Sequence, residues 1–343
     1  MTNSVTLKVA AGCARAALRL KKPFLLVGAP GLGKTQIIES VAAANDYDLI
    51  VSHPGTQDPT DPKGLPWPDA KTGMAKFLPF GDLQRALNAK KPTLWFLDDF
   101  GQAPPAVQAA YMQLLLARRI GEHVLPDCVT FAAATNRKGD RSGVSGILEA
   151  VKSRFATIIH VHADLASWTA WALSAGISPK VIAFLRFQPQ FLHDFTPASE
   201  IENYPCPRTW HNVSDAVNAE VLDAETTTPF LCGAVGSSAG QAFATFCAVY
   251  EDLPDIEQVF LAPESARIPT KLAALFALAT ALPYHVKKST FPALVTYATR
   301  LVEAGKGEVS SMLLKQARMQ CPDVTSTQAY IDLASGPLAE LVS

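Results

Sequence analysis

Gly28-Ala29-Pro30-Gly31-Leu32-Gly33-Lys34-Thr35, directly behind the apolar run Phe24-Leu25-Leu26-Val27, decides how the rest of this chain is read. The octet has the spacing G-x-x-x-x-G-K-[ST] of a phosphate-binding loop, leaving a buried strand and opening a helix. Its glycines let backbone N–H groups turn inward around phosphate oxygens. The helix that begins near Gly33 aims its positive dipole end at the same charge. Lys34 then reaches the β- and γ-phosphates, and the Thr35 hydroxyl is placed to ligate Mg²⁺. These residues predict a nucleoside triphosphate site, with Gly28, Ala29, Pro30, Gly31, Leu32, Gly33, Lys34 and Thr35 as its cradle.

Outward from the octet, five apolar, β-branched runs alternate with helical patterns: Phe24–Val27, Asp48–Ser52, Thr93–Leu97, Val129–Ala134 and Thr157–Val161. Such alternation predicts a five-stranded parallel α/β sheet with right-handed crossovers. Leu94-Trp95-Phe96-Leu97 and Val129-Thr130-Phe131-Ala132 read as buried on both faces, as central parallel strands are. Between Ser52 and Phe80 lies an irregular stretch holding Pro54, Pro59, Pro62, Pro66, Pro68 and Pro79, too long for an ordinary connection and read as an insertion at one edge of the fold. Beyond Asp164 strand signals fade and helical periodicity takes over, at Ala166–Ser174, Pro179–Phe187, Arg208–Ala219, Ala239–Tyr250, Thr270–Leu282, Phe291–Ala304 and Glu308–Met319. Residues 193–207 and 222–238, rich in Pro, Thr, Gly and Ser, read as loops or linkers. The expected domains are therefore 1–163, 164–225 and 226–343.

Two further strand ends carry chemistry. Leu94-Trp95-Phe96-Leu97-Asp98-Asp99 puts two carboxylates at the carboxyl edge of a strand, where open α/β sheets bind ligands. Asp98 is the expected partner of Mg²⁺, directly or through water, and Asp99 would orient or deprotonate an attacking water. Phe131-Ala132-Ala133-Ala134-Thr135-Asn136 ends in an amide able to hydrogen-bond both a γ-phosphate and that water. His160 and His162 have no third ligand nearby in sequence and read as ordinary strand residues.

Together with Glu149-Ala150-Val151-Lys152-Ser153-Arg154-Phe155, these motifs resemble the core of an AAA+ ATPase over roughly residues 5–220. Gly64–Phe80 and the run from Leu97 through Pro104-Pro105 to Ala110 are similar to the MoxR-like branch, which carries an insertion in its second helix. The resemblance implies a P-loop AAA+ core at 1–163, a helical lid at 164–225 and an additional all-helical region at 226–343. It implies that Asn136 is the sensor-1 residue and that Arg154 is an arginine finger completing the neighbouring subunit's site. Arg208, in Pro207-Arg208-Thr209, matches the sensor-2 start of a lid helix. It further implies ATP with Mg²⁺, a ring of subunits (a hexamer), and a protein client or a partner bearing a von Willebrand factor A domain. One residue departs from the pattern: the second acid is usually Glu, and here it is Asp99, shorter by a methylene. A 1 Å misplacement costs about 10²-fold in rate, which points toward slow hydrolysis or a switching role.

Composition narrows the alternatives. The chain has 343 residues, 48% hydrophobic and 18% charged, with a formal net charge of −1. That supplies core material for two or three domains and leaves no compositional case for disorder. Near-neutral charge and the lack of a basic stripe count against a nucleic-acid-directed motor. A nucleotide-gated scaffold with little turnover has Asp99 as its support. Six scattered cysteines without a C-x-x-C spacing read as buried small residues of a reducing cytosol rather than a disulfide or zinc framework. Val9–Leu20, interrupted by Arg15 and Arg19, scans as an amphipathic helix and not a secretory leader, and no apolar run reaches membrane-span length. A cytoplasmic, membrane-free protein is expected.

Overall fold

The computed structural model describes residues 4–140, 146–195, 201–251 and 256–342. Its contacts divide the chain into two units, residues 1–167 with 195–199, and residues 168–194 with 200–343. In the first unit the strands are β1 (Val5–Thr6), β2 (Phe24–Val27), β3 (Asp48–Ser52), β4 (Leu65–Pro68) and β5 (Ala75–Leu78), followed by β6 (Thr93–Leu97), β7 (Arg119–Ile120), β8 (His123–Val124), β9 (Val129–Thr135) and β10 (Thr157–His162). Six of them make one sheet in the order β1-β10-β2-β9-β6-β3. Every neighbouring pair is parallel, with registers such as Leu25↔Ala133, Leu94↔Thr130 and Ile50↔Trp95. The five expected strands are all present. The sixth, β1, is a two-residue edge strand beside β10 that no apolar run announces.

Period-two alternation sorts the strand side chains between two cores. Phe24, Leu26, Leu94, Phe96, Ala132 and Ala134 face one side, where α1 (Leu7–Arg19) and α2 (Lys34–Ala44) cover them with Ala10, Ala14, Leu18, Ile38 and Val41. Leu25, Trp95, Leu97, Phe131 and Ala133 face the other. There α3 (Gly81–Leu87), α4 (Pro105–Ala117) and α5 (Glu149–Lys152) supply Leu83, Val107, Tyr111, Leu114 and Val151. Strands β6 and β9 are buried throughout.

The proline-rich insertion is a structured element. Its β4 and β5 pair antiparallel as a hairpin, Leu65↔Leu78 through Pro68↔Ala75. Pro66 and Pro68 fit because a two-stranded ribbon always leaves an edge that needs no donor. Leu65, Trp67, Met74, Phe77 and Leu78 are all exposed on it. The hairpin is fastened to the one formed by β7 and β8: the Phe77 amide donates to Glu122 Oε1 at 2.9 Å, and His123 Nε2 lies 2.7 Å from the Phe77 carbonyl.

Helix α6 (Leu165–Ser174) spans the boundary between the units. The second unit continues with α7 (Pro179–Phe187), α8 (Pro207–Asn218), α9 (Thr227–Val235), α10 (Ser237–Glu251) and α11 (Ile256–Leu261), then α12 (Leu272–His285), α13 (Phe291–Glu303), α14 (Gly307–Gln320) and α15 (Gln328–Ser335). Phe184 is the hub of its aromatic cluster, 5.2–5.8 Å from the rings of Phe191, Trp210, Phe243 and Phe246. Leu278, Leu282, Phe291, Leu294, Tyr297, Leu301 and Leu313 form a further core. The reading of 222–238 as a loop is corrected: most of it is α9. Asp223 organises the preceding turn by accepting from the Thr226 amide and hydroxyl at 2.8 and 2.7 Å. Pro229 sits in the first turn, where a missing N–H costs nothing, and Leu231 and Val235 bury one face. Of the other segment read as a loop, 196–200 lies outside the described residues. Helices α9 and α10 pack so closely that a Cβ on Gly240 would stand 2.5 Å from the Cys232 nitrogen.

Candidate nucleotide site

The loop between β2 and α2 owes its shape to backbone that ordinary residues avoid. Gly31 and Gly33 have φ of 76° and 89°, and Gly33 caps α2 in the left-handed region. That cap turns the first amides of α2 toward the loop's hollow, where an anion meets both N–H groups and the helix dipole.

Lys34 follows, 7% exposed. A buried ammonium is costly unless its hydrogens are matched. Its Nζ donates to the Gly28 and Ala29 carbonyls, both at 2.9 Å, and to Asn136 Oδ1 at 2.7 Å. Asn136, itself 7% exposed, stands at the end of β9, the strand beside β2. Its amide nitrogen extends to Asp99 Oδ1 at 3.4 Å. Thr35 Oγ1 donates to Asp98 Oδ2 at 2.9 Å. Three segments that meet only through the order β2-β9-β6 thus form one connected polar cluster.

The acid pair is held by main chain. The Asp98 amide donates to the Ser52 carbonyl of neighbouring β3 at 2.9 Å, and the Asp99 amide donates to Asp98 Oδ1 at 3.0 Å. Asp99 has φ 49° and ψ 36°, a left-handed conformation that Asp tolerates better than most residues. Here β6 stops and a 3₁₀ turn, Phe100–Gln102, begins. Ser52 was not anticipated from sequence, because only the strand register, Ser52↔Leu97, brings it beside the acids.

A hydroxyl and a carboxylate are hard oxygen donors, the type that Mg²⁺ takes while keeping waters and phosphate oxygens as its other ligands. Thr35 and Asp98 therefore fit that ion. Among the described residues no group of three or more His, Cys, Asp or Glu side chains could hold a metal by itself, His160 and His162 included.

Of the other expected residues, Arg154 belongs to the same unit as this cluster and Arg208 to the second unit. Arg154 follows α5, and its guanidinium donates to the Ala150 carbonyl and, at 3.1 Å, to Ser153 Oγ. Its buried Nε has no hydrogen-bond partner among the described residues. Arg208 belongs to the second unit, as the exposed second residue of α8. Cys206 caps that helix, and the Thr209 hydroxyl accepts from the Cys206 amide at 2.9 Å.

Residues 23–155 match the AAA domain of the dynein-related subfamily. Over those residues the chain has the α/β P-loop fold of AAA+ proteins, with its parallel sheet and the glycine loop between β2 and α2. No curated protein matches the sequence. Among solved structures, NtrX from Brucella abortus is similar at 15% identity over 66% of this chain, with a TM-score of 0.41; this chain spans only 56% of that protein's length. RuvB from Thermotoga maritima, a Holliday junction branch migration motor, is similar at 12% identity over 98% of this chain and 85% of RuvB, with a TM-score of 0.35. Both likenesses are remote. No described helix is long and apolar enough to cross a membrane.

Proposed function

We propose that this chain is a MoxR-like AAA+ ATPase. It assembles as a hexameric ring, binds ATP with Mg²⁺ at the interfaces between subunits, and uses hydrolysis to remodel or activate a partner protein in the cytoplasm. A client engaged with, or carrying, a von Willebrand factor A domain is the kind of partner meant. The observation that supports this reading best is the polar cluster linking Lys34, Asn136 and Asp99, with Thr35 and Asp98 paired beside it.

In this reading the amides of Gly28–Thr35 cradle the triphosphate, and the Lys34 ammonium turns from the Gly28 and Ala29 carbonyls to the β- and γ-phosphate oxygens. Thr35 and Asp98 would hold Mg²⁺, which when bound offsets negative charge on those oxygens. Asp99 takes a proton from the attacking water as its oxygen bonds to the γ-phosphorus and the bond to the bridging β–γ oxygen breaks. Asn136, anchored between Lys34 and Asp99, orients that water. Arg154 hydrogen-bonds within its own turn and not to its own phosphate loop, which suits a cation lent to the next subunit's γ-phosphate. Residues 164–225 serve as the lid, with Arg208 reading the phosphates from it, and 226–343 as an added helical region.

The test is purified chain with and without ATP and Mg²⁺, beside Lys34→Ala. Hydrolysis and nucleotide binding in the parent, with neither in the variant, and a nucleotide-dependent ring by sedimentation, are the expected results. Normal ATP affinity in Lys34→Ala overturns the site. Strong stimulation by DNA that fades with salt would replace the protein-remodelling reading with that of a nucleic-acid motor.

A further inference from the structure

Behind the acid pair lie buried polar side chains that the hydrolytic cluster does not include. Ser52 closes β3 and is 2% exposed. Its carbonyl accepts the Asp98 amide, as described above. Its hydroxyl donates to Asp82 Oδ2 at 2.6 Å and accepts from Trp95 Nε1 at 2.8 Å. Tyr111, fully buried on α4, donates to Gln57 Oε1 at 2.6 Å. Gln57 ends the 3₁₀ turn Pro54–Thr56, at the root of the inserted segment.

The Tyr111 ring touches both sides of the acids. It stands edge-on to Trp95, three residues before Asp98, and to Phe100, immediately after Asp99, with centroids 6.0 and 6.1 Å away. A Phe would fill this volume equally well, so the volume does not explain a hydroxyl in an aromatic core. Burying it is tolerable only because it is hydrogen-bonded. Burial also pushes its pKa well above that of an ordinary tyrosine, so the phenol stays a proton donor.

We propose that Tyr111 and Gln57 are positioning residues for hydrolysis: their buried hydrogen bond holds the Tyr111 ring against Trp95 and Phe100, and so fixes the height of Asp98 and Asp99 from the root of the inserted segment. The inference rests on the reading of these acids given under the proposed function. Asp99, shorter than the usual Glu, has little slack. A shift of about half an ångström at such a site lowers turnover about tenfold, given about 10²-fold for a full ångström. Among the described residues no hydrogen bond joins Tyr111 or Gln57 to the phosphate loop, so ADP affinity is expected to hold.

The experiment compares the full chain with Tyr111→Phe, Gln57→Leu and the double variant. It reads kcat, KM for ATP, Kd for ADP by calorimetry, and the melting temperature. Each single change lowers kcat about tenfold with KM and Kd within about twofold, and the double variant is no slower than the worse single, because one bond broken twice is broken once. Unchanged kcat in either variant, parallel losses of kcat and nucleotide affinity, or about a hundredfold drop in the double variant each overturn the proposal. Should Tyr111→Phe fail to melt cooperatively, Gln57→Leu, at a half-buried position, decides alone. An inactive parent chain instead refutes the catalytic reading itself, and this inference falls with it.

Discussion

Replacing Asp99 by Asn isolates what the second acid does. The two side chains are isosteric, and both tolerate the left-handed backbone that residue 99 adopts at φ 49°, so the turn into Phe100 survives. The 3.4 Å contact with the Asn136 amide nitrogen is disturbed, and it is long enough that its loss costs at most about 1 kcal/mol. For a domain of this size that is a fall of about 2–4 °C in melting temperature. The chemistry loses much more. A positioned general base contributes about 10²–10⁴-fold, or about 3–5 kcal/mol of barrier at 1.36 kcal/mol per tenfold. Steady-state phosphate release, ADP titration by calorimetry and a thermal melt on one preparation separate these effects. The expected pattern is kcat down by about 10²-fold or more, ADP affinity kept or slightly tighter for one negative charge fewer, and a nearly unchanged melt. A kcat within about threefold of the parent would refute the assignment of Asp99 as the base, because no other change in the variant could mask so large a loss.

Three other outcomes are expected. Arg154→Ala keeps nucleotide binding and loses turnover, and mixing it with Lys34→Ala subunits restores part of the activity at interfaces where an intact loop meets an intact arginine; mixtures that stay dead while still assembling rule out a cation supplied in trans. Asp98→Asn, which weakens a hard-oxygen donor pair, raises the Mg²⁺ concentration giving half-maximal turnover about tenfold or more, and an unaltered Mg²⁺ dependence removes Asp98 from the metal site. Gly240→Ala gains about 1 kcal/mol of helix propensity but drives a methyl to 2.5–2.6 Å from the backbone of Leu231 and Cys232, so the net effect is a loss of about 2 kcal/mol, about 4–8 °C in the melt; a rise in melting temperature would show that α9 and α10 can separate freely.

The centre of the sheet was readable because β6 and β9 are buried throughout and therefore spelled in mostly apolar runs, Leu94–Leu97 being the clearest. Two-residue β1 carries no such run, and its pairing with β10 is a tertiary event. The β4–β5 hairpin was hidden by Pro66 and Pro68, which signal against a central strand but not against an edge ribbon. Helix α9 was masked by its threonines, whose weak helix propensity is overridden by burial of Leu231 and Val235. In the site, Lys34, Thr35 and Asp98 were legible because each follows a strand whose apolar pattern fixes where it ends. The distances between them were not, since residues 63 and 102 positions apart meet only through strand order. The Tyr111–Gln57 bond left no signal, because two unremarkable polar residues on separate elements acquire meaning only when folded together.

The fastening of Phe77 has a consequence for how this protein behaves at high concentration. An exposed ribbon bearing Trp67, Met74 and Leu78 has the makings of a sticky margin, and its bare backbone would ordinarily invite another chain to extend it. At Phe77 both outward main-chain groups are already engaged, by Glu122 and His123. At that position the ribbon keeps its greasy side chains open to a visitor while its main chain is closed to an added strand.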